Sequence, residues 1–179
     1  MEKLAEKSLD PALYSRAVGG DADAQNLLGM LYGSGKGVAQ DWSCATEWFQ
    51  RAAKQGHANA QFNLGVVSAH GKGAQIDVTQ ALHWYQKAAE QGHVKAQFNL
   101  GLLFENGDGV SRDTAKAFAW YASAAGSGHA GAQNNLGLMY VNAHGTPCDY
   151  GLAEHWFLKA ANQGYAPAQN NLGQFYARP

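Results

Sequence analysis

The sequence predicts an all-α protein, a solenoid of antiparallel helix pairs in 36-residue repeats, and three observations predict it. Ala24, Ala60, Ala96, Ala132 and Ala168 each begin a run of type Ala-Gln-x-x-Leu-Gly, spaced 36 residues apart without one insertion. Within each copy the apolar residues fall three and four apart, the spacing that places them on one side of a helix. Glycine-bearing stretches interrupt the copies at matching places. A fixed period of this length marks a stacked repeat, because one unit cannot bury its own apolar face and its neighbours must cover it. The product is an extended ridge with a long exposed surface suited to binding.

The elements follow in chain order. Asp10-Pro11 reads as an N-cap followed by proline at the first helical position, so residues 11–18 supply the second helix of a half-repeat ahead of Asp21. The expected organisation is a single repeat domain over residues 1–179. Residues 1–23 form a half-repeat or cap, 24–59, 60–95, 96–131 and 132–167 are full repeats, and 168–179 are the first helix of a fifth.

The second repeat shows the logic of each copy. Ala60, Leu64 and Ser68 fall four apart on a first helix, and the other copies carry Tyr32, Phe104, Tyr140 and Tyr176 where this one has Ser68. Glycine inside a helix costs about 1 kcal/mol relative to alanine. The recurrence of Gly29, Gly65, Gly101, Gly137 and Gly173 therefore implies a close helix approach that a Cβ would prevent. The first helix stops at the segments Gly33 to Gly37, Gly71 to Gly73 and Gly107 to Gly109. Asp41, Asp77, Asp113 and Asp149 then read as N-caps of the second helix, and Asp77 with Gln80 has the spacing of a capping box. Ala81, Trp84, Tyr85, Ala88 and Ala89 give that helix a broad apolar face. Its copies repeat the aromatic pair as Trp48-Phe49, Trp120-Tyr121 and Trp156-Phe157, and the tryptophans are expected in the core. Gly56, Gly92, Gly128 and Gly164 suit left-handed helix ends. Arg51, Lys87 and Lys159 oppose the negative ends of their helices.

Composition narrows the classes. Hydrophobic residues make up 46% of the 179 and charged residues 15%, enough apolar material for a substantial core. A net charge of -1 with scattered Lys and Arg provides no field for nucleic acid. Residues 1–10 are charged and lack the apolar run of a signal peptide, and no stretch approaches the ~18 apolar residues of a membrane span. The expectation is a cytoplasmic protein without membrane insertion, or a periplasmic or secreted one if a signal has been removed. Cys44 and Cys148 occupy different places in repeats three apart, too far for a disulfide, and are expected to be plain thiols.

Repeats reading Ala-x-x-x-Leu-Gly-x-x-Tyr, then Gly-x-Gly-Val, Asp, Ala-x-x-Trp-[Tyr/Phe]-x-x-Ala-Ala and Gln-Gly resemble the Sel-one-like repeat family, a relative of the tetratricopeptide repeat. The likeness spans Ala22 to Tyr176. It implies a right-handed α-α superhelix acting as an adaptor or scaffold, and many bacterial members are linked to signalling, envelope regulation or host contact. Two departures stand out. Ser68 replaces the aromatic that ends the first helix, and Asn142-Ala-His-Gly-Thr-Pro-Cys148 replaces the Gly-x-Gly loop, which predicts looser or differently shaped second and fourth units. The cysteine pairs of secreted members associated with penicillin binding are missing.

Catalytic signatures are weak. His57, His93 and His129 recur after the C-cap glycine, with Tyr165 in the fourth copy, which fits a turn residue packed over the next helix. One repeat of separation is too far to share a metal ion with bonds near ~2 Å. Gly33-Ser-Gly-Lys-Gly37 fails as a phosphate loop: Met30 stands at the first glycine position, Gly37 follows the lysine, and the loop joins two helices. Ser-x-x-Lys, Gly-x-Ser-x-Gly and His-Glu-x-x-His are all absent. The sequence thus predicts no enzyme, metal or cofactor, with a β-lactamase-like hydrolase as a remote alternative.

The binding candidates are side chains that recur without an evident role in construction. Asn63, Asn99, Asn135 and Asn171 precede the repeat leucine, with Leu27 breaking the series in the first copy. Asn is a mediocre helix former. The amides either bond a neighbouring helix or line a concave groove and hold an extended peptide by its backbone. Phe62 and Phe98 stand beside two of them, where Asn26, Asn134 and Asn170 occupy the other copies, and would anchor a ligand if exposed. The leading expectation is a noncatalytic scaffold binding a peptide or partner helix. The alternative is a self-associating piece, or part of a longer array, joined through Leu172, Phe175 and Tyr176 on the uncovered last helix.

Overall fold

The computed structural model describes residues 9–177, and among them every regular element is an α-helix. The expected all-α fold of antiparallel helix pairs is the one observed. The chain forms two compact units, Met1–Gln91 and Gly92–Pro179.

The first unit holds α1 (Pro11–Val18), α2 (Ala22–Ser34), α3 (Trp42–Lys54), α4 (Ala58–His70) and α5 (Val78–Glu90). α1 packs on α2, α2 pairs with α3, α3 with α4, and α4 with α5. Asp10 caps α1 by accepting from the Ala12 amide, with Pro11 in the first turn, as the sequence predicts. Ala17, Ala24, Leu28 and Trp48 form one apolar cluster and Ala45, Phe49, Ala52, Ala53, Ala60, Leu64 and Val67 another.

The second unit repeats the plan with α6 (Val94–Asn106), α7 (Thr114–Gly126), α8 (Ala130–Asn142), α9 (Tyr150–Asn162) and α10 (Ala166–Tyr176). α6 pairs with α7, α7 packs on α8, α8 pairs with α9, and α9 packs on α10.

Three devices build each pair. The aspartates cap the second helices, each side chain accepting from the amide three residues on, as from Cys44, Gln80, Lys116 and Leu152. The capping box expected at Asp77 closes on one side only, because the Asp77 amide donates to the Ser68 carbonyl at 2.9 Å. Asp41, Asp113 and Asp149 make the same bond to Tyr32, Phe104 and Tyr140, which ties the start of each second helix to the end of the first.

The helix glycines answer to rings. A Cβ on Gly29, Gly65, Gly101 or Gly137 would fall 2.4–2.8 Å from Phe49, Tyr85, Tyr121 or Phe157 respectively, so the second aromatic of each pair fills the missing side chain. These rings are the buried ones. Here the expectation for tryptophan needs correction: Trp48 is 6% exposed, but Trp84, Trp120 and Trp156 are half-buried. A neighbour one position along a helix points about 100° away, so only one of the pair can face the glycine. Trp48 is covered because Tyr14 of α1 meets it edge-on at 6.0 Å. Arg51 and Lys159 lie over the outer faces of Trp48 and Trp156 at 4.5 and 4.7 Å.

The third device is a glutamine relay. Gln25, Gln61, Gln133 and Gln169 donate to the carbonyls of Ala17, Ala53, Ala125 and Ala161, each at the end of the preceding helix. Gln55, Gln91 and Gln163 in turn donate to the side-chain oxygens of Gln25, Gln61 and Gln133 at 2.7–2.8 Å.

The departing loop at Asn142 to Cys148 keeps the common shape. Ala143 occupies the left-handed cap (φ 55°, ψ 36°) that Gly35, Gly71 and Gly107 occupy elsewhere. The difference expected in form therefore takes the form of strain, since alanine carries a Cβ where the other copies have none.

Candidate functional site

The asparagine series runs along the first helices, and its environment alternates with the residue one position earlier in the preceding copy. Asn63 Nδ2 donates to Asn26 Oδ1 at 2.9 Å, and Asn171 Nδ2 to Asn134 Oδ1 at 2.8 Å. The positions that would serve Asn99 and Asn135 in the same register carry Phe62 and Phe98, which have no acceptor. Asn135 accepts instead from Asn134 Nδ2 at 3.3 Å and lies against the Tyr121 phenol. Among the described residues, Asn99 has no recorded side-chain hydrogen bond. All four asparagines are half-buried, and Leu27, at the same position in the first copy, is 43% exposed. This register opens toward solvent.

Phe62 and Phe98 each pack against a tyrosine of the following helix. Phe62 tilts against Tyr85 at 5.9 Å. Phe98 meets Tyr121 at 5.8 Å and stacks on His129 at 4.3 Å. Both remain half-buried. Tyr121 donates to Glu105 Oε2 at 2.6 Å, and burial first, with that carboxylate second, holds its phenol far above the usual range. The second unit thus carries a continuous polar line of Glu105, Tyr121, Asn135, Asn134 and Asn171.

In the first unit the same side opens into a groove of about 470 Å³ lined by Met30, Ser34, Gln40, Trp42, Asn63, Val66 and Lys72, with Phe49 among its residues. Met30 is 51% exposed, and Lys72 Nζ stands 4.6 Å from the Trp42 ring. The size is that of a ligand groove. Its walls are apolar and flexible at Met30 and aromatic at Trp42, with one amide and one ammonium supplying polarity. Sequence reading found Asn63 but missed Met30, Trp42 and Lys72, because Val78, Thr114 and Tyr150 stand at the Trp42 position in the other copies and no periodicity marks it.

The histidines act as caps. Nδ1 of His57, His93 and His129 accepts from the amides of Ala60, Ala96 and Ala132 at 3.1–3.2 Å, while Tyr165 makes no such bond. Their recurrence is constructional, as expected, though the device is an N-cap. Among the described residues no group of three His, Cys, Asp and Glu side chains is placed to hold a metal ion. Cys44 and Cys148 are free thiols, and burial pushes the Cys44 thiol up. At the far end, Leu172 and Phe175 are half-buried and Tyr176 is 59% exposed, with its hydroxyl donating to Glu154.

Comparison with known proteins places this framework. The Sel1 repeat matches residues 22–57, 58–93, 94–129, 130–165 and 166–178. The chain belongs to the Sel1 repeat family. The first four Sel1 repeats thus each run from the first residue of one helix through a helix pair to the N-cap of the next, and the fifth match covers α10, with the asparagine register on the first helix of each.

Two solved Sel1-type structures are close in sequence. A protective antigen of uropathogenic Escherichia coli strains, displaying an SLR fold, is 39% identical over 93% of this chain, with a TM-score of 0.91. This chain spans 36% of that antigen's length. A Sel1 repeat protein from Oxalobacter formigenes is 37% identical over 93% of this chain and 68% of its own, with a TM-score of 0.87. The Helicobacter pylori cysteine rich protein B shares the fold at 24% identity, with a TM-score of 0.59 over 74% of this chain and 96% of its own. No curated protein matches. Sel1 repeat proteins are generally scaffolds for protein–protein interaction and typically noncatalytic. No helix among the described residues is long and apolar enough to cross a membrane.

Proposed function

We propose that this chain is a noncatalytic scaffold that takes an extended polypeptide segment on the side lined by the first helices. The observation that carries this reading is the groove of Met30, Trp42, Asn63, Val66 and Lys72, which offers exposed apolar contact beside an amide. The exposed Met30 adapts to apolar ligand side chains and the half-buried Trp42 offers them an aromatic wall. The Asn63 amide in the first unit, and separately those of Asn99, Asn135 and Asn171 in the second, bond a ligand's main chain, which gives affinity with little dependence on its sequence. Phe62 and Phe98 stand beside Asn63 and Asn99 on the same helices and add aromatic contact within their own units.

Peptides selected from a random display library on the intact protein test this reading. Met30→Glu should weaken the peptides that bind the first unit, and Asn99→Ala those that bind the second, each at least about tenfold, roughly 1.4 kcal/mol, with the melting temperature unchanged. Selected peptides that bind both variants as well as the wild type would overturn it.

A second reading, self-association through α10, is favoured by one observation. Leu28, Leu64, Leu100 and Leu136 are buried, whereas Leu172 is half-buried and Gly173 faces open space. Light scattering that gives a monomer mass at high concentration would remove it.

A further inference from the structure

The first unit contains a second pocket, and the chain's own repetition says what fits it. At the end of each first helix the copies carry Tyr32, Phe104, Tyr140 and Tyr176, but the second copy carries Ser68. Two positions recur beside those rings. One is on the following helix, where Cys44 lies against Tyr32 and Lys116 stands 5.2 Å from the Phe104 ring. The other is on the preceding helix, where Phe118 meets Tyr140 edge-on at 5.5 Å and Glu154 accepts from the Tyr176 hydroxyl. In the register of Ser68 these two positions are Gln80 and Thr46.

Both of them line a pocket of about 400 Å³ that also contains Ser68, with Glu47, Lys72 and Asp77 around it. The space that a ring occupies elsewhere stands open here. Its polar atoms suit a phenol: Thr46 Oγ1 donates to the Trp42 carbonyl and keeps lone pairs free to accept, and Glu47 offers a carboxylate. Where the ring is present, the precedent for such a bond is Tyr176 to Glu154, and Glu154 occupies the Thr46 position.

We propose that the Ser68 pocket is a binding site for the tyrosine side chain of a partner polypeptide, seated where the other repeats seat their own aromatic residue. The ring enters between α3 and α5 over the end of α4, and its hydroxyl donates to Thr46 or Glu47. Val67 and Lys72 line both this pocket and the first-helix groove, but the Ser68 site does not depend on the asparagine row.

The test titrates isotope-labelled protein with N-acetyltyrosine amide, with N-acetylphenylalanine amide and p-cresol in parallel, and follows backbone amide shifts. Saturable shifts confined to residues around Thr46, Ser68 and Gln80 are expected with the tyrosine amide, and weaker ones with the phenylalanine amide. Ser68→Tyr, which restores the chain's own ring, should raise the melting temperature and weaken the tyrosine amide at least tenfold. Ser68→Phe fills the same space as Phe104 does in its own copy and should block binding too, which covers failure of the first variant to fold.

Absence of shifts in the wild type, or shifts that persist in both variants, would overturn the proposal. A folded Ser68→Tyr protein less stable than the wild type would overturn it as well, since the pocket would then not accept a ring. Binding of p-cresol without binding of the tyrosine amide would assign the pocket to free phenols and refute the polypeptide occupant. Met30→Glu and Asn99→Ala should leave all these shifts in place, so failure here and failure of the first-helix groove are separable.

Discussion

Replacing Gly101 by Ala should destabilise the second unit, although the same change in an isolated helix stabilises. The new Cβ would lie 2.4 Å from Cδ1 and Cε1 of Tyr121 and 3.0 Å from Cγ, where carbon pairs prefer about 3.5–4.0 Å. Tyr121 has little room to yield, because it is fully buried and its hydroxyl is bonded to Glu105 at 2.6 Å. Overpacking of this kind costs about 1–3 kcal/mol, and a pinned ring places the site at the upper end. Against it stands a gain of about 1 kcal/mol from removing a helix glycine, so the net loss is about 2 kcal/mol. Gly173→Ala is the internal control: nothing lies within 4 Å of its Cβ position, and it should gain up to about 1 kcal/mol. Urea unfolding followed by circular dichroism measures both, with native-state hydrogen exchange on α6 and α7 locating the loss, because a repeat stack need not unfold in one step. Gly101→Ala combined with Tyr121→Leu should show a smaller glycine penalty than Gly101→Ala alone. Equal stabilisation by Gly101→Ala and Gly173→Ala would refute the reasoning.

Three further outcomes follow from the same geometry. Ala143→Gly should stabilise by about 0.5–1 kcal/mol, the relief of a left-handed Cβ (about 1–2 kcal/mol) less the added freedom of the unfolded chain (about 0.4–1 kcal/mol); a lowered melting temperature would contradict it. Gln133→Leu should cost about 1–3 kcal/mol, because it leaves the Ala125 carbonyl and the Gln163 amide without their partner, and denaturant midpoints measure it. Acid should weaken the His93 and His129 caps. Burial first, and Lys95 to a lesser degree, hold both imidazoles below their ordinary value, so the unfolded chain takes up these protons at a higher pH than the folded one. Their contribution is therefore full above the unfolded value of about 6.5 and is lost as the pH falls from there through the lower folded values; thermal melts across this range should flatten when both are replaced by Asn, which caps without titrating.

Much of the fold is legible in the sequence because each repeated letter is tied to a local device. Asp10 and Pro11, the four capping aspartates and the turn glycines act within a few residues of themselves, so spacing alone reveals them. The tryptophans show where this stops. Which of two adjacent aromatics turns inward depends on the facing helix, and the glycines that receive Phe49 and Tyr85 identify the partner only once the pair is folded. The first glutamine of the relay recurs in every copy and the second in every full copy but the third, where Ser127 stands, yet their meaning depends on carbonyls at the end of another helix.

The site is less legible for the same reason. The asparagine register is visible, but whether an amide is tied to the scaffold depends on Asn or Phe 37 residues earlier in the chain. Trp42 has no counterpart in the other copies, Met30 shares a merely apolar register with Val66, Leu102 and Leu138, and only folding brings them with Lys72 to one groove. Ser68 is the opposite case. Its departure from the pattern was plain, and the structure supplies the consequence, an open pocket where looseness was expected.

The central claim, that the first-helix side of the first unit takes an extended polypeptide, is tested most directly by titrating a display-selected peptide into isotope-labelled protein and mapping the shifts. The account predicts perturbation at Met30, Trp42, Asn63 and Val66, with the Asn63 side-chain amide among the largest. Shifts confined to the outer faces of α3 and α5, with Met30 and Asn63 unmoved, would contradict it.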